Sequence, residues 1–88
     1  IELSTAVNYN NHMDTKSLNQ ILAGNLRHYR LVKGISQESL SELVNVHRNT
    51  ISLLETGKRG VSLDLLYKLA RVLDCQAYQL LIPATAAP

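Results

Sequence analysis

The chain has 88 residues, 45% of them apolar, and a formal net charge of +2, enough for one small domain with a modest core and too little charge to name a partner by itself. It has no Trp or Phe and one cysteine, Cys75, so aliphatic side chains must build the core, and an internal disulfide framework and a cysteine-based zinc site are excluded. No apolar run approaches the roughly 20 residues of a membrane span, and Ile1 to Met13 lacks the hydrophobic stretch of a signal peptide.

Residues 1–15 are polar and aperiodic and read as a flexible arm, with His12-Met13 resembling a cloning junction. Lys16 is too little basic charge to make this arm a DNA-contacting one. Ser17-Leu18-Asn19-Gln20 fits a capping box and opens a helix over about 18–33. Its apolar face is Leu18, Ile21, Leu22, Leu26, Tyr29 and Val32, and Gly34 supplies its C-terminal stop. Ser36 caps a second helix over about 37–44. Glu38 lies in its first turn, where the dipole favours negative charge, and Leu40, Leu43 and Val44 form its apolar side. Asn45 then suits the left-handed backbone of a sharp turn. A third helix covers about 47–56, held inward by Ile51 and Leu54 and ended at Thr56-Gly57. Ser62 caps a fourth over about 63–74, with a stripe of Leu63, Leu66, Tyr67, Ala70 and Leu73. A fifth covers about 76–82, stopped by Pro83, and residues 84–88 read as a frayed tail. Nothing alternates with period two, so no strands are expected. The domain proper is 16–83.

About three residues separate the second and third helices, which forces the turn of a helix-turn-helix. The second helix of such a pair lies in the major groove with its N-terminal residues on base edges. Arg48, Asn49 and Ser52 fall on the outward face of the third helix. Arg can pair bidentately with guanine and Asn with adenine. Lys58 and Arg59, just past the helix, suit neutralisation of backbone phosphates.

These residues carry a resemblance. "GISQESLSELVNVHRNTISLLETGKRGVSLDLLYKLARVLDC" resembles the phage-repressor-like helix-turn-helix family, the Cro/C1 or XRE type, and the likeness runs from Ser17 to Ile82. It rests on Ser-Gln-Glu-Ser-Leu opening the second helix, then Arg-Asn-Thr-Ile-Ser, Leu-Glu-Thr-Gly-Lys-Arg and Ser-Leu-Asp-Leu-Leu. It implies an all-α, five-helix lambda-repressor-like domain that binds double-stranded DNA, as a homodimer on a palindromic operator. Phage repressors, restriction–modification controllers and antitoxins are of this kind. Gln37 matches a residue that contacts phosphate and braces the recognition helix. Arg48, Asn49 and Leu53 match base-facing positions, with Thr50 and Ser52 nearby, and Leu53 would meet a thymine methyl. Lys58 matches a phosphate contact, and Arg30 with Glu55 a partly buried ion pair. Two departures stand out. Asn45 replaces a frequent Gly. His47 replaces a frequent Ser or Thr, and imidazole is a poorer cap, so His47 is expected at a phosphate or a base.

Each assignment has a plainer counterpart. Gln37 and Arg27 could be solvated helix positions, Arg48 a surface ion pair, Asn49 a helix-start residue, and Lys58-Arg59 an ordinary charged turn. Arg27 and Arg59 are kept as phosphate contacts. The three histidines lack ligand spacing and Cys75 has no base beside it, so neither a cofactor nor an enzyme is expected. Tyr78, Leu80, Leu81 and Ile82 exceed what one buried face can take, and a dimer interface of Tyr78, Leu81 and Ile82 follows. The reading is a cytoplasmic, bacterial or phage-encoded transcriptional regulator with no effector domain after the motif. An antitoxin-like module that binds a partner protein is the alternative.

Overall fold

The computed structural model describes residues 15–83. The proposed arm, up to residue 14, and the tail 84–88 lie outside the described residues. The described residues form four α-helices, α1 (Thr15–Lys33), α2 (Gln37–Leu43), α3 (Arg48–Glu55) and α4 (Leu63–Val72), followed by a one-turn 3-10 helix, Ala77–Leu80. There are no strands among the described residues. Among the described residues no helix is long and apolar enough to cross a membrane.

The core is aliphatic, as a chain without Phe or Trp requires. Leu22 and Leu26 of α1, Leu40 and Val44 at α2, Ile51 and Leu54 of α3, Leu66, Leu69 and Ala70 of α4, Leu73 and Leu80 form one cluster. α3 packs against both α1 and α2, and α4 against the 3-10 turn and α2. A large-to-small change at a fully buried position such as Leu26 or Leu54 is worth about 2–5 kcal/mol.

All four helices end in the same way. A residue in the left-handed conformation follows each one: Gly34 (φ 77°), Asn45 (φ 59°), Gly57 (φ 74°) and Asp74 (φ 59°). Its amide donates to the carbonyl three residues back, and the next amide to the carbonyl five residues back. After α2 these bonds are Asn45 to Glu42 at 3.2 Å and Val46 to Ser41 at 2.9 Å; after α3 they are Gly57 to Leu54 at 3.2 Å and Lys58 to Leu53 at 3.0 Å. This is the Schellman motif, in which the residue after the left-handed one is commonly apolar and packs back on the helix. Ile35, Val46 and Cys75 occupy that place after α1, α2 and α4, and all three are half-buried against the core. After α3 the place belongs to Lys58, which is exposed.

Several expectations from the sequence need correction. α1 begins at Thr15, so Ser17 lies within its first turn and does not cap it. Val32 is 71% exposed and Leu43 61%. On α4, Leu63 and Tyr67 face outward and Leu69 is fully buried. Leu63-Leu66-Tyr67-Ala70 and Leu66-Leu69-Ala70-Leu73 share one helical spacing, and the core selects the second. The expected fifth α-helix is a 3-10 turn. Pro83 has no amide proton to extend it, so few residues remain for an α-helical nucleus. Asn25 takes up its end instead, directing Nδ2 at the carbonyls of Gln79 (3.3 Å), Leu80 (3.0 Å) and Ile82 (2.7 Å). Leu80, expected with the surface patch, is wholly buried; Tyr78 is 63% exposed, and Leu81 and Ile82 are half-buried.

Candidate nucleic-acid interface

The turn from α2 to α3 occupies four residues, Val44 to His47. The left-handed Asn45 reverses the chain, and Val46 anchors it to the core. α3 then has two unlike sides. Ile51 and Leu54 are fully buried, which fixes the helix about its own axis. Arg48 and Asn49, at its start, are exposed, and Thr50, Ser52 and Leu53 are half-buried. The structure therefore brings the five nominated base-facing residues onto one helix, with the first two the most accessible.

His47 is the N-cap of α3, in extended conformation (φ −71°, ψ 146°). Its Nδ1 accepts from the Asn49 amide at 3.0 Å. Sequence reasoning discounted imidazole for this task. Its planar ring nevertheless presents a nitrogen lone pair where a Ser oxygen would sit, and this satisfies one of the unpaired amides of the first turn. Ser36 and Ser62 cap α2 and α4 as expected, accepting from Ser39 N at 2.9 Å and Leu65 N at 3.1 Å.

The far end of α3 is held by a polar network. The Arg30 guanidinium meets Glu55 through two bonds, Nε to Oε2 at 2.6 Å and Nη2 to Oε1 at 2.9 Å, and Nη1 donates to the Ile35 carbonyl at 2.9 Å. The side chains are 10% and 3% exposed. The hydrogen bonds to Glu55 raise the Arg30 pKa against the opposing effect of burial. Gln37, the first residue of α2, adds Nε2 to Glu55 Oε1 at 3.0 Å. One carboxylate thus ties α1 and the start of α2 to the end of α3, and the Arg30 guanidinium adds the α1–α2 loop. This bond joins Gln37 to the last residue of α3.

Charge pairing separates the basic residues into two sets. Arg30, Lys33 and Lys68 are ion-paired, with Glu55, Asp74 and Asp64, and Arg71 leans on the Tyr67 ring and hydroxyl. Arg27, Arg48, Lys58 and Arg59 are exposed and have no ion-pair partner among the described residues. These four are the cations nominated from the sequence. Lys58 and Arg59 ride on a loop that rests against α1: a Cβ added at Gly57 would lie 3.3 Å from Gln20 Cγ, and one at Gly60 3.4 Å from Asn19 Oδ1. Neither that support nor the Asn25 clamp was visible in the sequence, because both join residues far apart in the chain through polar side chains that follow no period.

Comparison with known proteins agrees with this geometry. A family model described as helix-turn-helix matches residues 26–80. A hypothetical transcription factor of Neisseria meningitidis is 37% identical over 70 residues, 80% of this chain and 66% of that protein, so the chain spans just under two thirds of that relative's length. Control protein C.SmaI of Serratia marcescens is 41% identical over 69 residues, covering 78% of this chain and 79% of its own. The crystal structure of a hypothetical transcription factor from Neisseria superposes with a TM-score of 0.75 at 36% identity, covering 83% of this chain and 84% of that one.

Proposed function

The chain belongs to the helix-turn-helix family of the phage-repressor-like, Cro/C1 or XRE type, and from that premise we propose that it is a DNA-binding transcriptional regulator, of repressor or controller kind, that reads the major groove of double-stranded DNA with α3. One observation carries the reading: Arg48 and Asn49 stand exposed at the start of a helix whose opposite side, Ile51 and Leu54, is fully buried. Arg48 and Asn49 read base edges, with Thr50, Ser52 and Leu53 beside them. Gln37, Lys58, Arg59 and Arg27 contact phosphates, and His47 a phosphate or a base. The four exposed cations have no ion-pair partner among the described residues, which supports this, since an unpaired cation meets a phosphate without first breaking a bond.

The protein acts as a homodimer on a palindromic operator. Exposed Tyr78 and half-buried Leu81 and Ile82 form the two-fold interface, an isologous arrangement. Support comes from the adjoining apolar groove of about 220 Å³, lined by Leu18, Leu22, Val61, Leu63, Leu66 and Leu81 among others. Two copies of α3 would then meet the duplex about 34 Å apart.

Selection of bound sites from a random duplex pool at about 0.15 M salt, with Arg48→Ala in parallel, tests the reading. A palindrome with half-sites about 10 base pairs apart is expected. In the variant, preference relaxes at one position per half-site, a loss of about 1–3 kcal/mol there. Recovery of no preferred sequence by the wild type would overturn direct readout.

A further inference from the structure

His47 divides its two ring nitrogens between two tasks. Nδ1 accepts from the Asn49 amide at 3.0 Å. A ring nitrogen that accepts a hydrogen bond bears no proton, and a neutral imidazole has only one to place, so the cap fixes that proton on Nε2. The residue is exposed, and Nε2–H donates to no group among the described residues. His47 is followed directly by the exposed Arg48 and Asn49. The ring is held by its cap at the start of the helix, with a single oriented donor left over.

We propose that His47 contacts bound DNA through Nε2–H, presented as a fixed donor by the helix cap, so that it takes an acceptor of the duplex, a phosphate oxygen or a purine acceptor on a base edge, and rejects a donor. The inference rests on the reading that the start of α3 faces DNA. It extends that reading in one respect: cap and contact are one device, and the tautomer set by folding determines what the residue can recognise. A serine cap would serve the helix but has no second polar atom to present as a donor beyond it.

Two variants separate the tasks. His47→Ala removes cap and contact; His47→Ser keeps a capping oxygen and removes the reach. Folding is followed by denaturant unfolding, and binding on the site selected by the wild type, both near pH 8. His47→Ala should lower the folding constant by roughly fivefold. His47→Ser should fold within roughly threefold of wild type and bind DNA at least tenfold more weakly, a loss of the size expected for a hydrogen bond to a charged group. A loss uniform over all base positions assigns a phosphate; a loss confined to one position of each half-site assigns a base edge. Nitrogen-15 spectra of the ring supply an independent readout: the proton lies on Nε2 in the free protein, and the Nε2–H signal is protected from exchange in the complex. A serine variant that binds as tightly as wild type, or a proton found on Nδ1, overturns the proposal while the wild-type site stands. Wild-type protein that selects no site removes the reading beneath it as well.

Discussion

The ends of α2 and α3 share one backbone design and invert its side chains. Each closes through a left-handed residue and the same pair of amide-to-carbonyl bonds. At the last helical position α2 turns Leu43 out to solvent, whereas α3 turns Glu55 inward to Arg30 and Gln37. Two residues past the cap, α2 places Val46 against the core and α3 projects Lys58. The first arrangement fastens a turn. The second fastens it with a buried charge pair and leaves a cation free beyond it. Backbone geometry sets where the chain goes, and side-chain chemistry at two positions decides whether the turn packs on the core or presents a charge to solvent.

Making one end like the other breaks this comparison most sharply at the buried carboxylate. Glu55→Leu strands Arg30 without its partner and should cost about 3–5 kcal/mol, whereas the reverse change Leu43→Glu should stay within about 0.5 kcal/mol. Urea titration of both variants measures the difference, and adding Arg30→Met to Glu55→Leu should recover most of the loss. Next in size is the left-handed residue. Gly57→Ala forces a Cβ to a positive φ and to 3.3 Å from Gln20 Cγ, for a loss of about 1–2 kcal/mol; Asn45→Gly relieves the same conformation and should gain about 0.5 kcal/mol. Thermal melts resolve both signs, since 1 kcal/mol moves the Tm of a domain this small by about 4–8 °C.

The position after the turn sharpens the contrast between stability and binding. Val46→Lys should cost about 1 kcal/mol by exposing a half-buried side chain. Lys58→Val should leave stability within about 0.5 kcal/mol, weaken DNA binding, and make the plot of log affinity against log salt shallower by about 0.9. Fluorescence anisotropy across a salt series measures this; an unchanged slope would remove Lys58 from the phosphate contacts. The smallest effect belongs to Asp74, the left-handed residue after α4. The Lys33 ammonium donates to its carboxylate and holds its pKa below the ordinary value. A folded-state pKa below the unfolded one gives stability that is present above the unfolded value of about 3.9 and lost as pH falls through the folded value. Asp74→Asn should therefore melt slightly below wild type at pH 6, and the gap should close on acidification towards pH 2.

Much of the fold was legible because local rules were enough. Ser36, Ser62, Gly34, Asn45 and Gly57 mark helix ends through their own conformational chemistry, and Ile51 with Leu54 marks the buried side of α3 by spacing alone. The Arg30–Glu55 pair was legible only through family resemblance, as charged residues 25 positions apart follow no period. What stayed hidden depended on tertiary context. Two apolar stripes of equal merit overlap on α4, and only Leu69 in the core decides between them. The segment after Cys75 is apolar enough for a helix, but Asn25 captures its carbonyls first. His47 was placed at the start of α3, but its capping of that helix was discounted, since its rank as a cap was weighed without the ring geometry.

The loop that carries Lys58 and Arg59 has its back to α1, with Gly57 against Gln20 and Gly60 against Asn19. A strut behind a loop changes how it responds to load. A duplex that met these two cations, as proposed, would press the loop against the first turns of α1, which already stand behind it. In that complex the basic loop would act as one jaw of a calliper, with the start of α3 as the other, and Asn19 and Gln20, which belong to neither, would be its backstop.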